Sequence, residues 1–176
     1  MRIVLFLFAS FFSADVLGQT AVDSAAAVKR VDSLIQVSRA FTGKRDFDKA
    51  LEVNAAAEKI ALEKLGRESA AFGSCCHNRG RVYLIKGDYP QAEPLILEAK
   101  AIREKVLGKE HPDYAQSLNN LAGLYMYLRN YEKAEPLFLE AKAIREKVLG
   151  KEHPGYAASL GNLADLYYYL GNYEKA

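Results

Sequence analysis

Few residues of this chain could do chemistry, since its 176 residues include only two cysteines and three histidines. Cys75 and Cys76 are adjacent, and a redox pair or a metal site would need both of them to converge with other ligands. Because neighbouring residues of a helix point about 100° apart, a disulfide between the two would need unusual geometry. The sequence contains no His-Glu-x-x-His, no Gly-x-Ser-x-Gly and no glycine-rich phosphate-binding motif. It therefore predicts no enzyme, no metal site and no cofactor.

The sequence repeats with a period of 42 residues, and two of the three histidines lie at equivalent positions of the repeat. His111 and His153 each lie in a Lys-Glu-His-Pro junction, 42 residues apart, and are expected to shape the turn before a helix. Segment 131–152 reproduces 89–110 with three differences, and 153–176 reproduces 111–134 with six. A fixed period of this size predicts stacked supersecondary units that share one core. With a weaker copy at the start, the units are 27–68, 69–110, 111–152 and 153–176, and the last stops at the start of its second helix.

Each unit is predicted to contain two helices. Apolar residues recur at three-to-four spacing in both halves of a unit, as Leu118, Leu121 and Tyr125 do in a first half. The expected helix boundaries of the third unit are marked by Pro112 in a first turn, Asn130 as a cap, Lys147 in a last turn and Gly150 past the end. The predicted fold is all-α, a right-handed α-solenoid of stacked antiparallel helix pairs.

Two features depart from this regular pattern. Pro136 lies about six residues after the proposed cap, where its missing N–H predicts that the second helix starts late or bends. The first unit matches the others weakly, as the end unit of an array does, and its helices are expected near 25–42 and 47–64.

The repeated positions resemble a known family. Leu118-x2-Leu121-Ala122-x2-Tyr125, followed by Ala134-x3-Phe138 and Ala141, is similar to the tetratricopeptide repeat (TPR) signature. The 42-residue period and the run Leu-Gly-Lys-Glu-His-Pro at 149–154 resemble the kinesin-light-chain type of this repeat. The resemblance covers about 27–176. It suggests that this protein is a bacterial exported member of the family and that the sequence is a fragment of a longer chain. HEAT and armadillo repeats have similar periods but lack this spacing.

The first residues differ from the array in composition. Arg2 precedes the ten-residue apolar run 3–12, and 13–18 is less apolar, which predicts a signal peptide over 1–18. The alternative is a membrane anchor, which would need about 20 apolar residues. We therefore expect an exported chain, periplasmic or secreted, that starts near Gln19 or Thr20, continues through a linker at 19–26 and has no membrane span after cleavage.

The charge of the chain excludes one class of partner. The net charge is +2, and lysines and glutamates alternate along the second helices, as Lys142 and Glu146 do. Such alternation is typical of a solvated helix face. The sequence therefore predicts no nucleic-acid partner.

The 42-residue offset also predicts the environment of the cysteines. Cys76 corresponds to Leu118, which predicts a small core residue, while Cys75 corresponds to Ser117, which predicts a half-exposed neighbour.

The resemblance implies a binding groove on the concave surface of the array, lined by first helices. The residues expected there are Asn78, Arg81, Asn119, Asn120, Met126, Tyr127, Asn162, Tyr168 and Tyr169. Asparagine can donate to and accept from the backbone of an extended peptide, yet it can equally bond to the neighbouring helix and hold the superhelix. Both roles remain open for Asn78, Asn120 and Asn162.

These observations predict a noncatalytic scaffold that binds a peptide or protein segment in its groove. The alternative is that the array is the recognition region of a longer exported enzyme, such as a caspase-like protease, whose catalytic domain is missing from this chain. Self-association through the incomplete last unit is also expected, because its first helix has no second helix to cover it.

Overall fold

The computed structural model describes residues 4–172 and 174–175, and the regular structure in this part of the chain is entirely helical. The helices are α1 (Val4–Gly43), α2 (Phe47–Leu65), α3 (Ala70–Lys86), α4 (Tyr89–Leu107), α5 (Pro112–Tyr127), α6 (Tyr131–Leu149) and α7 (Pro154–Tyr169). Successive helices pair as α1 with α2, α3 with α4, and α5 with α6, and α7 begins the next unit.

The two helices of a unit occupy different layers. The first helices pack on one another in the order α1, α3, α5 and α7. Within the described residues, no second helix packs on another second helix. The first helices therefore form the inner layer of a stacked array, and the second helices form the outer layer. This arrangement confirms the predicted all-α repeat fold.

Helix α1 begins much earlier than the 25–42 expected for it, at Val4. The sequence between the apolar run and the array contains no proline and only one glycine, Gly18, so nothing stops the helix. Further along α1, Ala27, Val31 and Ile35 are buried. Residues 1–3 of the predicted signal peptide lie outside the described residues. No helix in the described part is apolar over a stretch long enough to cross a membrane.

Repeated capping residues set the helix ends, as predicted. The Nδ1 atoms of His111 and His153 accept the backbone N–H groups of Asp113 and Gly155, at 3.1 Å and 2.9 Å. Asn130 accepts the N–H of Lys133. The second helices end at glycines with φ between 82° and 86°, a conformation that costs glycine little: Gly66, Gly108 and Gly150.

Pro136 lies inside α6, which begins at Tyr131, so the predicted late start of this helix is wrong. The backbone bond that proline removes would end on the carbonyl group of residue 132. Glu132 is exposed in the first turn, where water can replace the lost donor.

Both cysteines are buried in the core cluster that contains Val31, Ala57 and Phe72. This confirms Cys76 as a core residue, but the half-exposed position expected for Cys75 is wrong. The backbone carbonyl of Cys75 accepts a hydrogen bond from Asn54 of α2, so this side of α3 faces the preceding unit. Burial raises the pKa of each thiol to about 12, which keeps both protonated near neutral pH.

Candidate functional site

A groove of about 570 Å³ runs along the inner layer. It is lined by residues of α1, α3 and α5, by the last turn of α6 and by the first turn of α7: Arg39, His77, Arg81, Pro112, Asp113, Gln116, Arg145, Leu149, His153 and Gly155. Three of these side chains are guanidinium groups, and Asp113 is the one carboxylate among them.

The arginines of the groove occupy repeated positions. Arg39 and Arg81 are 42 residues apart on successive first helices, and Arg145 stands 42 residues after Arg103, which is buried. Burial lowers the pKa of Arg81, and the positive charge of Arg39 lowers it further. Within the described residues, none of these four groups forms an ion pair. The groove is therefore locally cationic, although the whole chain is nearly balanced.

His77 lies in the groove lining and is only 2% exposed. Burial lowers its pKa well below 6.5, and the charges of Arg103, Arg39 and Arg81 lower it further. The imidazole is therefore neutral at physiological pH.

A chain of hydrogen bonds assigns the tautomer of His77. Arg145 donates through Nη2 to Oε1 of Gln116 at 2.7 Å, and Nε2 of Gln116 donates to Oδ1 of Asn120 at 3.3 Å. The amide nitrogen of Asn120 then lies 3.3 Å from Nε2 of His77. Since Nδ2 of Asn120 can only donate, Nε2 of His77 accepts and the proton of the neutral ring is on Nδ1. That buried Nδ1 has no hydrogen-bond partner.

Asn78 holds three helices together. It is 1% exposed, and its Nδ2 donates to Oγ of Ser38 at 2.8 Å and to Oδ1 of Asn54 at 2.9 Å. Its Oδ1 accepts from Nε of Arg39 at 3.4 Å. These contacts join α1, α2 and α3 and support the structural alternative for this asparagine, which also positions Arg39 beside the groove.

The other asparagines make equivalent contacts between first helices. Nδ2 of Asn162 donates to Oδ1 of Asn119 at 2.7 Å, and Asn120 contacts His77 in the same way, each pair being 43 residues apart. Asn120 is buried, whereas Asn119 and Asn162 are partly exposed. Both contacts support the role of holding neighbouring units in register.

Buried arginines join each unit to the next. Nη1 of Arg103 donates to Oγ of Ser117 at 2.9 Å and to the carbonyl of Asp113 at 3.0 Å. Arg145 repeats the arrangement with Ser159 at 2.9 Å and Gly155 at 3.3 Å. Burial lowers the pKa of Arg103 to about 10, which still leaves it charged. Each arginine thus ties a second helix to the N-terminal turn of the following first helix.

A separate depression of about 290 Å³ contains most of the aromatic candidates. It is lined by Met126, Tyr127, Arg129, Tyr131 and Tyr169. Tyr127 stacks on Tyr89 with ring centroids 6.0 Å apart, and Tyr168 lies edge-on to Tyr169 at 6.1 Å. Tyr127, Tyr168 and Tyr169 are each more than half exposed. This depression shares no lining residue with the cationic groove.

The residues predicted to form one binding site thus lie in different places in the structure. Arg81 lies in the groove, Met126, Tyr127 and Tyr169 lie in the depression, and the asparagines join helices. Sequence reasoning did not select Arg39, Arg103 or Arg145, although Arg39 precedes Arg81, and Arg103 precedes Arg145, by one 42-residue period. Testing every charged residue against the period would have found both pairs.

Stacked antiparallel helix pairs with a repeated set of caps and small packing residues define a helical-repeat protein. The chain belongs to the tetratricopeptide repeat family, whose model matches residues 74–125 and 113–176. No curated protein matches the chain.

Solved structures of kinesin-light-chain type share the fold. BtubC (BKLC) from P. vanneervenii superimposes with a TM-score of 0.71 at 24% identity, and the match covers 83% of this chain and 58% of that one. A Podosopora anserina protein assigned as a kinesin light chain, with nearly identical TPR-like repeats, superimposes with a TM-score of 0.72 at 28% identity. That match covers 82% of this chain and 69% of the other. The chain thus spans less than two thirds of the length of BtubC.

Proposed function

We propose that this protein is a noncatalytic interaction scaffold that binds a peptide or protein segment on the inner layer of its array. The observation that carries the proposal is the pair of concavities beside the first helices, one cationic and one aromatic. Exposed tyrosines supply large contact area at a small cost in conformational entropy, as the anchors of protein interfaces do. Membership of a repeat family that binds proteins points the same way.

A library of randomised peptides, selected on the immobilised full chain, tests this function. Selected peptides should bind the double variant Tyr127→Ala/Tyr169→Ala with an affinity at least about tenfold lower, since an aromatic anchor contributes more than about 1 kcal/mol. The matched control is Leu97→Ala/Leu139→Ala, which removes two exposed apolar side chains that are also 42 residues apart but lie on second helices. Equal losses in both variants, or no selected peptide at all, would overturn the proposal.

We also propose that the chain is exported, periplasmic or secreted. Arg2 and the apolar run 3–12 support a signal peptide, since this run is too short for a membrane span. N-terminal sequencing of the native protein should find a start near Gln19 or Thr20. An intact Met1 on a cytoplasmic protein would contradict the proposal.

A further inference from the structure

Each of the helices α5 and α7 ends with tyrosines that have different surroundings. Tyr125 and Tyr167 donate through their hydroxyl groups to glutamates of the preceding unit. Two residues later, Tyr127 and Tyr169 are each more than half exposed. Within the described residues, the hydroxyl groups of this second pair make no hydrogen bond. The fold therefore uses the polar groups of the first pair and leaves those of the second pair facing outward.

The depression that contains Tyr127 and Tyr169 has a lining that can donate hydrogen bonds. Its other lining residues are Met126, Arg129 and Tyr131. A guanidinium group only donates, and a tyrosine hydroxyl can donate. Among the described residues that line the depression, there is no carboxylate or amide side chain. A ligand that offers apolar surface and hydrogen-bond acceptors, but few donors, is complementary to this lining.

Arg129 lies in the depression at an unfavourable backbone position. Its φ is 57°, in the left-handed region, and the equivalent residues of the neighbouring units are Gly87 and Gly171. A side chain at positive φ is uncommon, and such residues cluster at functional sites. Within the described residues, Arg129 makes no ion pair. No charge contact inside the protein therefore accounts for an arginine at this position.

The spacing of the exposed tyrosines matches one regular peptide conformation. Tyr127 and Tyr169 occupy equivalent positions of adjacent units, and neighbouring helices pack about 10 Å apart. A polyproline II helix has three residues per turn and rises about 3.1 Å per residue, so every third residue recurs after about 9 Å. The ring of Tyr127 is already oriented, because it stacks on Tyr89 with centroids 6.0 Å apart and planes 7° from parallel. A proline at every third position can thus meet successive tyrosines.

We propose that this aromatic depression binds a proline-rich protein segment in the polyproline II conformation. The inference rests on the proposed function and specifies its ligand. Proline rings pack on Tyr127 and Tyr169, while the hydroxyl groups and Arg129 donate to backbone carbonyl groups between the rings. In polyproline II these carbonyl groups have no internal hydrogen bonds, and proline has no N–H to leave unpaired. Because the ligand is ordered before it binds, little conformational entropy is lost.

Two blocked peptides of equal length, one a Pro-Pro-Ala repeat and the other a Gly-Gly-Ala repeat, test the ligand class by calorimetry on the full chain. The Pro-Pro-Ala peptide should bind at least about tenfold more tightly, because the glycine peptide is a flexible coil. Tyr127→Ala/Tyr169→Ala should lower the affinity for the Pro-Pro-Ala peptide at least about tenfold. The control Leu97→Ala/Leu139→Ala, on second helices, should leave that affinity unchanged.

The substitution Arg129→Gly separates binding from stability. It should lower the affinity for the Pro-Pro-Ala peptide about threefold or more, because the guanidinium donors are lost. It should not lower the melting temperature, because glycine adopts this φ readily. The matched control is Arg45→Gly, since Arg45 has a φ of 60° at the equivalent position of the first unit and does not line the depression. This control should leave the affinity unchanged.

Three results would overturn the inference. The first is equal affinity for the two peptides, and the second is an equal loss of affinity in Arg129→Gly and Arg45→Gly. The third is tighter binding of a blocked Glu-Ala repeat than of the Pro-Pro-Ala repeat, which would show recognition of acidic segments. If library peptides without proline bind through Tyr127 and Tyr169 while the Pro-Pro-Ala peptide does not bind, the ligand class is wrong and the proposed function stands.

Discussion

At the scale of single residues, the buried polar groups of this array form two sets. Arg103 and Arg145 have partners in the next unit, whereas Asn78, Asn120 and Asn162 have partners in the preceding unit, and these contacts fix how the units stack. His77 instead has one satisfied and one unsatisfied ring nitrogen, beside the positive charges of Arg39, Arg81 and Arg103. A buried imidazole in such surroundings makes stability depend on pH.

We expect acid to destabilise the fold through His77. The folded-state pKa lies well below the 6.5 of the unfolded chain, because of burial and then of the arginine charges. Well above pH 6.5 the imidazole is neutral in both states and contributes no pH dependence. As the pH falls below 6.5, the unfolded chain binds a proton that the folded chain does not, so the free energy of unfolding falls by up to about 1.4 kcal/mol per pH unit.

Urea unfolding at a series of pH values measures this effect. The control is His77→Asn, since Asn119 stands at the equivalent position of the next unit. The substitution removes one titratable side chain and leaves all others in place, so the difference between the two pH profiles isolates His77. Parallel profiles below pH 6.5 would show that His77 is protonated in the folded protein.

Some residue environments could be predicted from the sequence, and others could not. The caps His111, His153 and Asn130 were predictable because a cap depends on local chain geometry and recurs with the period. Cys75 was not, because its burial depends on how α3 meets α2 of the preceding, weakly matching unit. The cationic groove joins residues from α1, α3, α5 and α6, and no single unit shows that combination.

At the scale of helices, equivalent positions do not always make equivalent contacts. Asn130 and Asp88 precede α6 and α4 at the same place in the repeat, yet only Asn130 accepts a capping hydrogen bond. We expect Asn130→Ala to lower the free energy of unfolding by about 1 kcal/mol, since the N–H of Lys133 loses this acceptor. Asp88→Ala should lower the free energy of unfolding by less, because Asp88 makes no capping hydrogen bond. Chemical unfolding of both variants measures the difference, and equal losses would contradict the assigned cap.

Two helix glycines provide a second contrast. A Cβ at Gly80 would lie 2.8 Å from Cγ1 of Ile96 and 3.3 Å from its backbone nitrogen, whereas a Cβ at Gly123 would meet nothing within 4 Å. Gly123→Ala should therefore stabilise the chain by up to about 1 kcal/mol through helix propensity. Gly80→Ala should destabilise it by about 1 kcal/mol or more, because α3 and α4 must move apart.

Thermal melting of the two glycine variants gives the comparison. The period alone predicts that alanine is accepted at Gly80, because Ala122 stands at the equivalent position. If both substitutions stabilise the chain, the close packing of Gly80 in α3 against Ile96 in α4 would be contradicted.

At the scale of the whole molecule, stability is a sum over neighbouring helices, because each helix packs only on those next to it in the stack. The consequence is clearest in α7. Leu118 of α5 is fully buried against Ala141 and Ile144 of α6, while its equivalent Leu160 in α7 is 44% exposed. Helix α7 thus exposes an apolar surface whose equivalent on α5 is covered by α6.

We expect an added helix to cover that surface. Residues 173–176 already repeat 131–134, so appending a copy of 135–152 after Ala176 completes a second helix like α6. Burying a large apolar side chain contributes about 1.5–3 kcal/mol, so the extended chain should melt at a higher temperature and self-associate less. The control is an extension of the same length in which the copies of Leu137, Ala141 and Ile144 are replaced by glutamine. Differential scanning calorimetry and light scattering compare the three chains, and equal stability and association of both extensions would show that α7 does not use the repeat's packing surface.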